Sequence, residues 1–139
     1  MDLHRLDDTV TVAPQLLAEE LAAVARLGFR TVINNRPDGE SFDQPPSAAM
    51  AEAAQAAGLA YHHQPVVSGG LSVEDVLAFR ELLASAEGPV LAFCRSGTRC
   101  ANLWALAQAG NCDADAVIAS AARAGYDLRG LRQILQAGI

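Results

Sequence analysis

Pro89-Val90-Leu91-Ala92-Phe93-Cys94-Arg95-Ser96-Gly97-Thr98-Arg99-Cys100 is the stretch on which the fold turns. An apolar run stops at a cysteine. Four residues with Gly97 among them lead to Arg99, and Ala101-Asn102-Leu103-Trp104-Ala105-Leu106-Ala107 then has a helical pattern. The stretch reads as strand, tight loop and helix, with a thiol at the end of the strand. A loop wound around Cys94 turns successive backbone N–H groups inward and makes a nest for an anion. The N-terminus of the following helix adds partial positive charge, and Arg99 adds a full charge with forked donors. All three favour thiolate over thiol, and the thiolate is the nucleophile. Taken alone, a cysteine closing a strand is a small buried hydrophobe. Here the neighbouring features agree in sign, and they point to a reactive site.

Working outward, strand and helix patterns alternate along the chain. Thr9 to Val12 reads as a short edge strand. Pro14 suits a first helical position, and Leu16, Leu17, Leu21, Val24 and Leu27 recur at helical spacing before Gly28. Phe29 to Asn34 reads as a strand that runs into the polar loop Asn35-Arg36-Pro37-Asp38-Gly39-Glu40. A helix from Pro45-Pro46-Ser47 to Ala57, a strand from Leu59 to His63 and the flexible joint Ser68-Gly69-Gly70 follow. Ser72 caps the next helix, whose inward face is Val76, Leu77, Phe79, Leu82 and Leu83. Gly88-Pro89 breaks that helix and launches the cysteine strand. Beyond Gly110, helices are expected over 113–124 and 128–137.

This order predicts an α/β fold, a mostly parallel central sheet flanked by helices, in one domain spanning residues 1–139. In such sheets ligands bind outside the carboxyl ends of the strands. The loops 35–42, 64–71 and 94–99 should therefore share one rim.

Composition excludes several partner classes. The chain has 139 residues, 51% of them hydrophobic, and a net charge of −6. Nucleic acid and an anionic membrane surface are poor partners for it. No apolar run reaches bilayer length. Three cysteines without Cys-x-x-Cys spacing indicate neither a disulfide framework nor a zinc site, so no metal and no cofactor is expected. The charged N-terminus does not read as a signal peptide, and a free thiol suits a reducing cytoplasm.

The loop Cys94-Arg95-Ser96-Gly97-Thr98-Arg99 resembles the active-site loop of rhodanese-type sulfurtransferases. The wider chain resembles the small bacterial family called beta-lactamase-hydrolase-like, or DUF442. The matching segments are Asn35 to Glu40, His63-Gln64-Pro65-Val66, and the cysteine loop with its helix. The resemblance implies a fold like the dual-specificity cysteine phosphatases. It also implies relatives fused to a sulfur dioxygenase, a conceivable partner.

The chemistry then has two enzymatic readings. Cysteine phosphatases place five residues between cysteine and arginine; here there are four, and Cys100 stands where the phosphatase arginine would fall. They also need a general acid, and Pro65-Val66-Val67-Ser68-Gly69-Gly70 holds no carboxylate. Both departures favour sulfur transfer. Cys94 would take sulfane sulfur from a small anionic donor such as thiosulfate, carry it as a persulfide, and pass it to a thiol acceptor. The alternative is a phosphatase acting on a phosphate ester through phosphocysteine, with Asp38 as its candidate acid. A third reading is a non-catalytic anion-binding or redox-sensing module using Cys94 and Cys100.

The residues expected at the site follow. Cys94 and Arg99 are catalytic, and Arg95, Ser96, Gly97, Thr98, Arg99 and Cys100 form the anion-binding loop. Arg99 either turns toward the anion or braces the loop. Asp38 acts as an acid, pairs with Arg36, or caps the turn at Gly39. His62 and His63 face opposite ways, one buried against a helix and one, His63, near the rim. Trp104 is core packing, and Cys112 carries no signal.

Overall fold

The computed structural model describes all 139 residues. Its sheet has five strands: β1 (His4–Arg5), β2 (Val10–Ala13), β3 (Thr31–Asn34), β4 (Ala60–His63) and β5 (Val90–Phe93). The order is β1-β2-β5-β3-β4; only the β1–β2 pair is antiparallel. Six helices surround it: α1 (Leu21–Arg26), α2 (Ser47–Ala56), α3 (Val73–Ser85), α4 (Thr98–Leu106), α5 (Ala114–Arg123) and α6 (Arg132–Ala137).

Alternation along each strand divides the apolar residues between two layers. Val32, Leu91 and Phe93 face α1 and α2, where Leu21, Val24, Met50 and Ala54 are fully buried. Val12, Ile33, Val90 and Ala92 face the other side, with Phe79 of α3, Leu103 of α4, Ala121 of α5 and Leu135 of α6. The cysteine strand β5 lies at the centre of the sheet, buried along its whole length. A nucleophile at its end therefore stands on a buried central strand.

The architecture agrees with the α/β expectation, and four local readings need correction. The 9–12 segment is interior, because β1 pairs outside it. A two-residue charged strand is too short to leave a period in sequence. The β1–β2 turn is held instead by Asp7 Oδ1, which accepts the N–H groups of Thr9 and Val10 at 2.8 and 2.7 Å. Pro14 does not open a helix. Residues 14–17 cross the rim, and the helical turn starts only at Ala18. There Glu20 Oε1 accepts the Leu17 N–H at 2.8 Å. Leu77 of α3 is exposed, whereas Val76 and Phe79 are buried. His62 and His63 are both exposed, because β4 is an edge strand.

The rim forms as the topology requires. The Asn35 N–H donates to Phe93 O at 2.9 Å, and the Val66 N–H donates to Asn35 O at 3.0 Å. These two bonds join the three loops beyond the carboxyl ends of β3, β4 and β5.

Candidate active site

Cys94 ends β5 and sits at the floor of its loop, with no exposed surface. Its sulfur accepts the Gly97 N–H at 3.2 Å. Gly97 has φ +90°, a left-handed conformation that lets the chain turn back into α4. A Cβ at that position would lie 2.2 Å from the Tyr126 hydroxyl oxygen, so both backbone and space demand glycine.

These contacts bring the Cys94 thiol down from 9.0 to about 5. The Cys100 thiol beside it contributes most, burial opposes, and the backbone N–H groups of Cys100, Gly97 and Ser96 add to the lowering. The Cys100 S–H also has a second acceptor, Asn35 Oδ1 at 3.2 Å. One proton serves one acceptor at a time, so its help to Cys94 is partial. The direction stands because three amides act with it. Cys100, fully enclosed, is pushed well above 9, first by burial and then by its charged neighbour. Near neutrality Cys94 is a thiolate and Cys100 a thiol, a division of roles suited to nucleophilic attack by Cys94 alone.

Arg99 comes from the first turn of α4 and reaches across the rim. Its Nη1 donates to Glu40 Oε2 at 2.7 Å and to Val66 O at 2.9 Å, and its Nη2 donates to Glu40 Oε1 at 2.8 Å. The guanidinium is thus braced across the rim. Three of its five donors hold the rim, while Nε–H and the remaining Nη2–H form a second bidentate edge without a protein partner. That edge is free to receive an anion.

Glu40 is the keystone of this arrangement. It also accepts Arg36 Nε at 2.8 Å, and Arg36 is buried, with further bonds to Gln15 Oε1 at 3.0 Å and Ser41 Oγ at 3.3 Å. Two guanidinium groups bring the Glu40 carboxyl down from 4.5 to about 2, the Arg99 hydrogen bonds contributing most. Glu40 is therefore charged throughout the working range and holds no proton to give.

The other expected residues divide. Arg95, Ser96 and Thr98 line the outer face of the loop. They border a cavity of about 400 Å³ with Val67, Ser68 and Asn102. No carboxylate lines it. Asp38 Oδ1 accepts the Ser47 N–H at 2.8 Å and caps α2. It neither pairs with Arg36 nor caps Gly39. His63 Nε2 meets the Arg36 carbonyl oxygen at 2.8 Å, which makes it a brace for the 35–40 loop. Trp104 is 3% exposed, and its indole N–H donates to Asp7 Oδ2 at 2.8 Å.

Sequence reading did not count Gln15, Asn35, Glu40 or Tyr126 among the site residues. A signal for Glu40 existed: it stands four residues from Arg36 in a loop whose rim also receives Arg99.

Residues 2–111 match the family described as beta-lactamase hydrolase-like protein, phosphatase-like domain. A beta-lactamase hydrolase-like protein of Xylella fastidiosa is 38% identical over 130 residues, covering 92% of this chain and 30% of the relative. The chain thus spans under a third of the relatives it matches. A candidate phosphatase of Neisseria meningitidis, solved by crystallography, superposes with a TM-score of 0.85 at 39% identity, over 97% of this chain and 96% of that one. TpbA of P. aeruginosa, solved in complex with pTyr, superposes with a TM-score of 0.63 at 22% identity, over 99% and 91% of the two chains. That last likeness concerns the fold, which is that of the cysteine phosphatases. The chain belongs to the beta-lactamase hydrolase-like family, in its phosphatase-like domain.

Proposed function

We propose that this domain is a cysteine-based phosphohydrolase of phosphatase type, with Cys94 as nucleophile. The reading is carried by the amide contact at Cys94 Sγ together with an Arg99 whose Nε–H and one Nη2–H have no protein partner. The Cys94 thiolate attacks the phosphorus of a phosphate ester while the Nε–H and Nη2–H of Arg99 hold two of its oxygens. The P–O bond to the leaving group breaks and leaves S-phosphocysteine. Water then attacks phosphorus, returning thiolate and inorganic phosphate. Relatives that carry a phosphatase name support this order of preference.

No carboxylate lines the cavity beside the cysteine loop to protonate a leaving oxygen. Glu40 holds no proton, and Asp38 is spent on α2. Substrates should therefore be those whose leaving group departs as a stable anion, such as aryl phosphates or phosphoanhydrides. The same observation, with the four-residue spacing from Cys94 to Arg99, favours a second reading, rhodanese-type sulfur transfer. There the thiolate attacks the outer sulfur of thiosulfate, sulfite leaves with the S–S bonding pair, and Cys94 becomes a persulfide. A thiol acceptor then removes that sulfur.

One experiment separates them. The protein is treated with an aryl phosphate or with thiosulfate, acid-quenched, and the Cys94 peptide is weighed. A phosphoryl adduct, with rates falling steeply as the leaving alcohol becomes more basic, supports the first reading. A one-sulfur adduct from thiosulfate, with no phosphoryl adduct, replaces it by the second. An unmodified Cys94 in both rejects covalent catalysis.

A further inference from the structure

Two carbonyl oxygens of the cysteine loop point away from the sulfur, and each is held from outside. Arg95 O accepts the Gln15 N–H at 3.3 Å. Ser96 O accepts the Tyr126 hydroxyl at 3.2 Å. In a trans peptide the C=O and the next N–H point in opposite directions. Fixing the Ser96 carbonyl outward therefore aims the Gly97 N–H inward, where it meets Cys94 Sγ at 3.2 Å. Fixing the Arg95 carbonyl does the same for the Ser96 N–H.

We infer that Tyr126 is a positioning residue for the nucleophile, holding the Ser96–Gly97 peptide so that its amide faces the Cys94 sulfur. The inference rests on Cys94 being the reactive group and holds for either transferred group. Tyr126 lies beyond residues 2–111, which match the family, so the clamp comes from the C-terminal segment of this chain. Several contacts fix its place. α5 ends at Arg123, Gly125 turns the chain at φ +103°, and the Tyr126 N–H returns to Ala121 O at 2.8 Å. The ring meets the His4 ring edge-on at 5.5 Å, and His4 Nδ1 is 2.8 Å from Ala124 O. The hydroxyl lies against Gly97, where no side chain fits. Burial above all, with negative charge on neighbouring groups, pushes this phenol up to about 12, so it keeps its proton and remains a donor.

The test is Tyr126→Phe, which removes one oxygen and keeps the ring. Tyr126→Leu, which removes both, serves as the packing control. Alkylation of Cys94 by iodoacetamide is followed against pH by mass spectrometry of the Cys94 peptide, with thermal unfolding alongside. One hydrogen bond lost from the clamp should raise the midpoint in Tyr126→Phe by roughly 0.3 to 1 pH unit. Its unfolding temperature should stay near that of the parent. Tyr126→Leu should show at least the same rise and an added loss of stability. A Tyr126→Phe profile that overlays the parent overturns the inference, as does a Tyr126→Phe protein that fails to fold, since a loop clamp is not needed for folding. Should the parent Cys94 itself show no thiolate below pH 7, the functional reading fails first, and the two failures are thereby distinguished.

Discussion

Replacing Glu40 by Gln should cost stability in a way that pH can switch off. The Glu40 carboxylate takes three charge-assisted bonds, one from Arg36 and two from Arg99, and only 21% of its side chain is exposed. The fall from 4.5 to about 2 corresponds to ~3 kcal/mol favouring the charged form in the folded state. Partial solvent contact trims this to about 2 kcal/mol. For a chain of this length that is a fall of roughly 8 °C in Tm at pH 7. The sign follows from linkage. A carboxyl lowered by folding stabilises fully above its unfolded value, near 4.5, and loses that contribution as pH falls toward 2. The Tm gap between parent and Glu40→Gln should thus be wide at pH 7, unchanged at pH 5.5, and narrower by pH 3. Scanning calorimetry at those three values checks it. A gap under about 2 °C at pH 7, or one that stays constant down to pH 3, would refute the keystone role of Glu40.

Other outcomes follow from the same geometry. Cys94→Ser should reduce turnover to background while leaving Tm near the parent's, read by any assay of the accepted substrate. Cys100→Ala should raise the Cys94 titration above about 5, whereas Cys100→Ser, which keeps a donor, should hold it nearer; thiol alkylation against pH distinguishes them. Gly97→Ala should lose at least about 2 kcal/mol in denaturant unfolding, from the left-handed backbone and the overlap with Tyr126. Asp38→Asn should keep kcat within about twofold, because that side chain serves a helix end; a large loss of kcat at unchanged stability would restore Asp38 as an acid.

The sheet was legible because β5 carries an unbroken apolar run that only a doubly covered strand can bury. The cysteine loop was legible because its charges and its glycine sit next to each other in sequence. Long-range polar partners were hidden. Nothing local says that Glu40 meets Arg99, 59 residues away, or that Tyr126 reaches Ser96 over 30. Polar turn residues are locally interchangeable, so Asp38 and Glu40 looked alike, although one caps α2 and the other holds two arginines. The burial expected for one histidine failed for a related reason: a strand's place in the sheet order decides its exposure, and β4 falls at the edge.

The central claim is that residue 94 is held as a thiolate, and its reactivity against pH tests that most directly. Iodoacetamide labelling of Cys94 in the native protein, with Cys112 as the internal reference, should rise through a midpoint near 5 and level off before pH 7. A midpoint near that of an ordinary thiol, or a Cys94 that labels only after unfolding, would contradict the account.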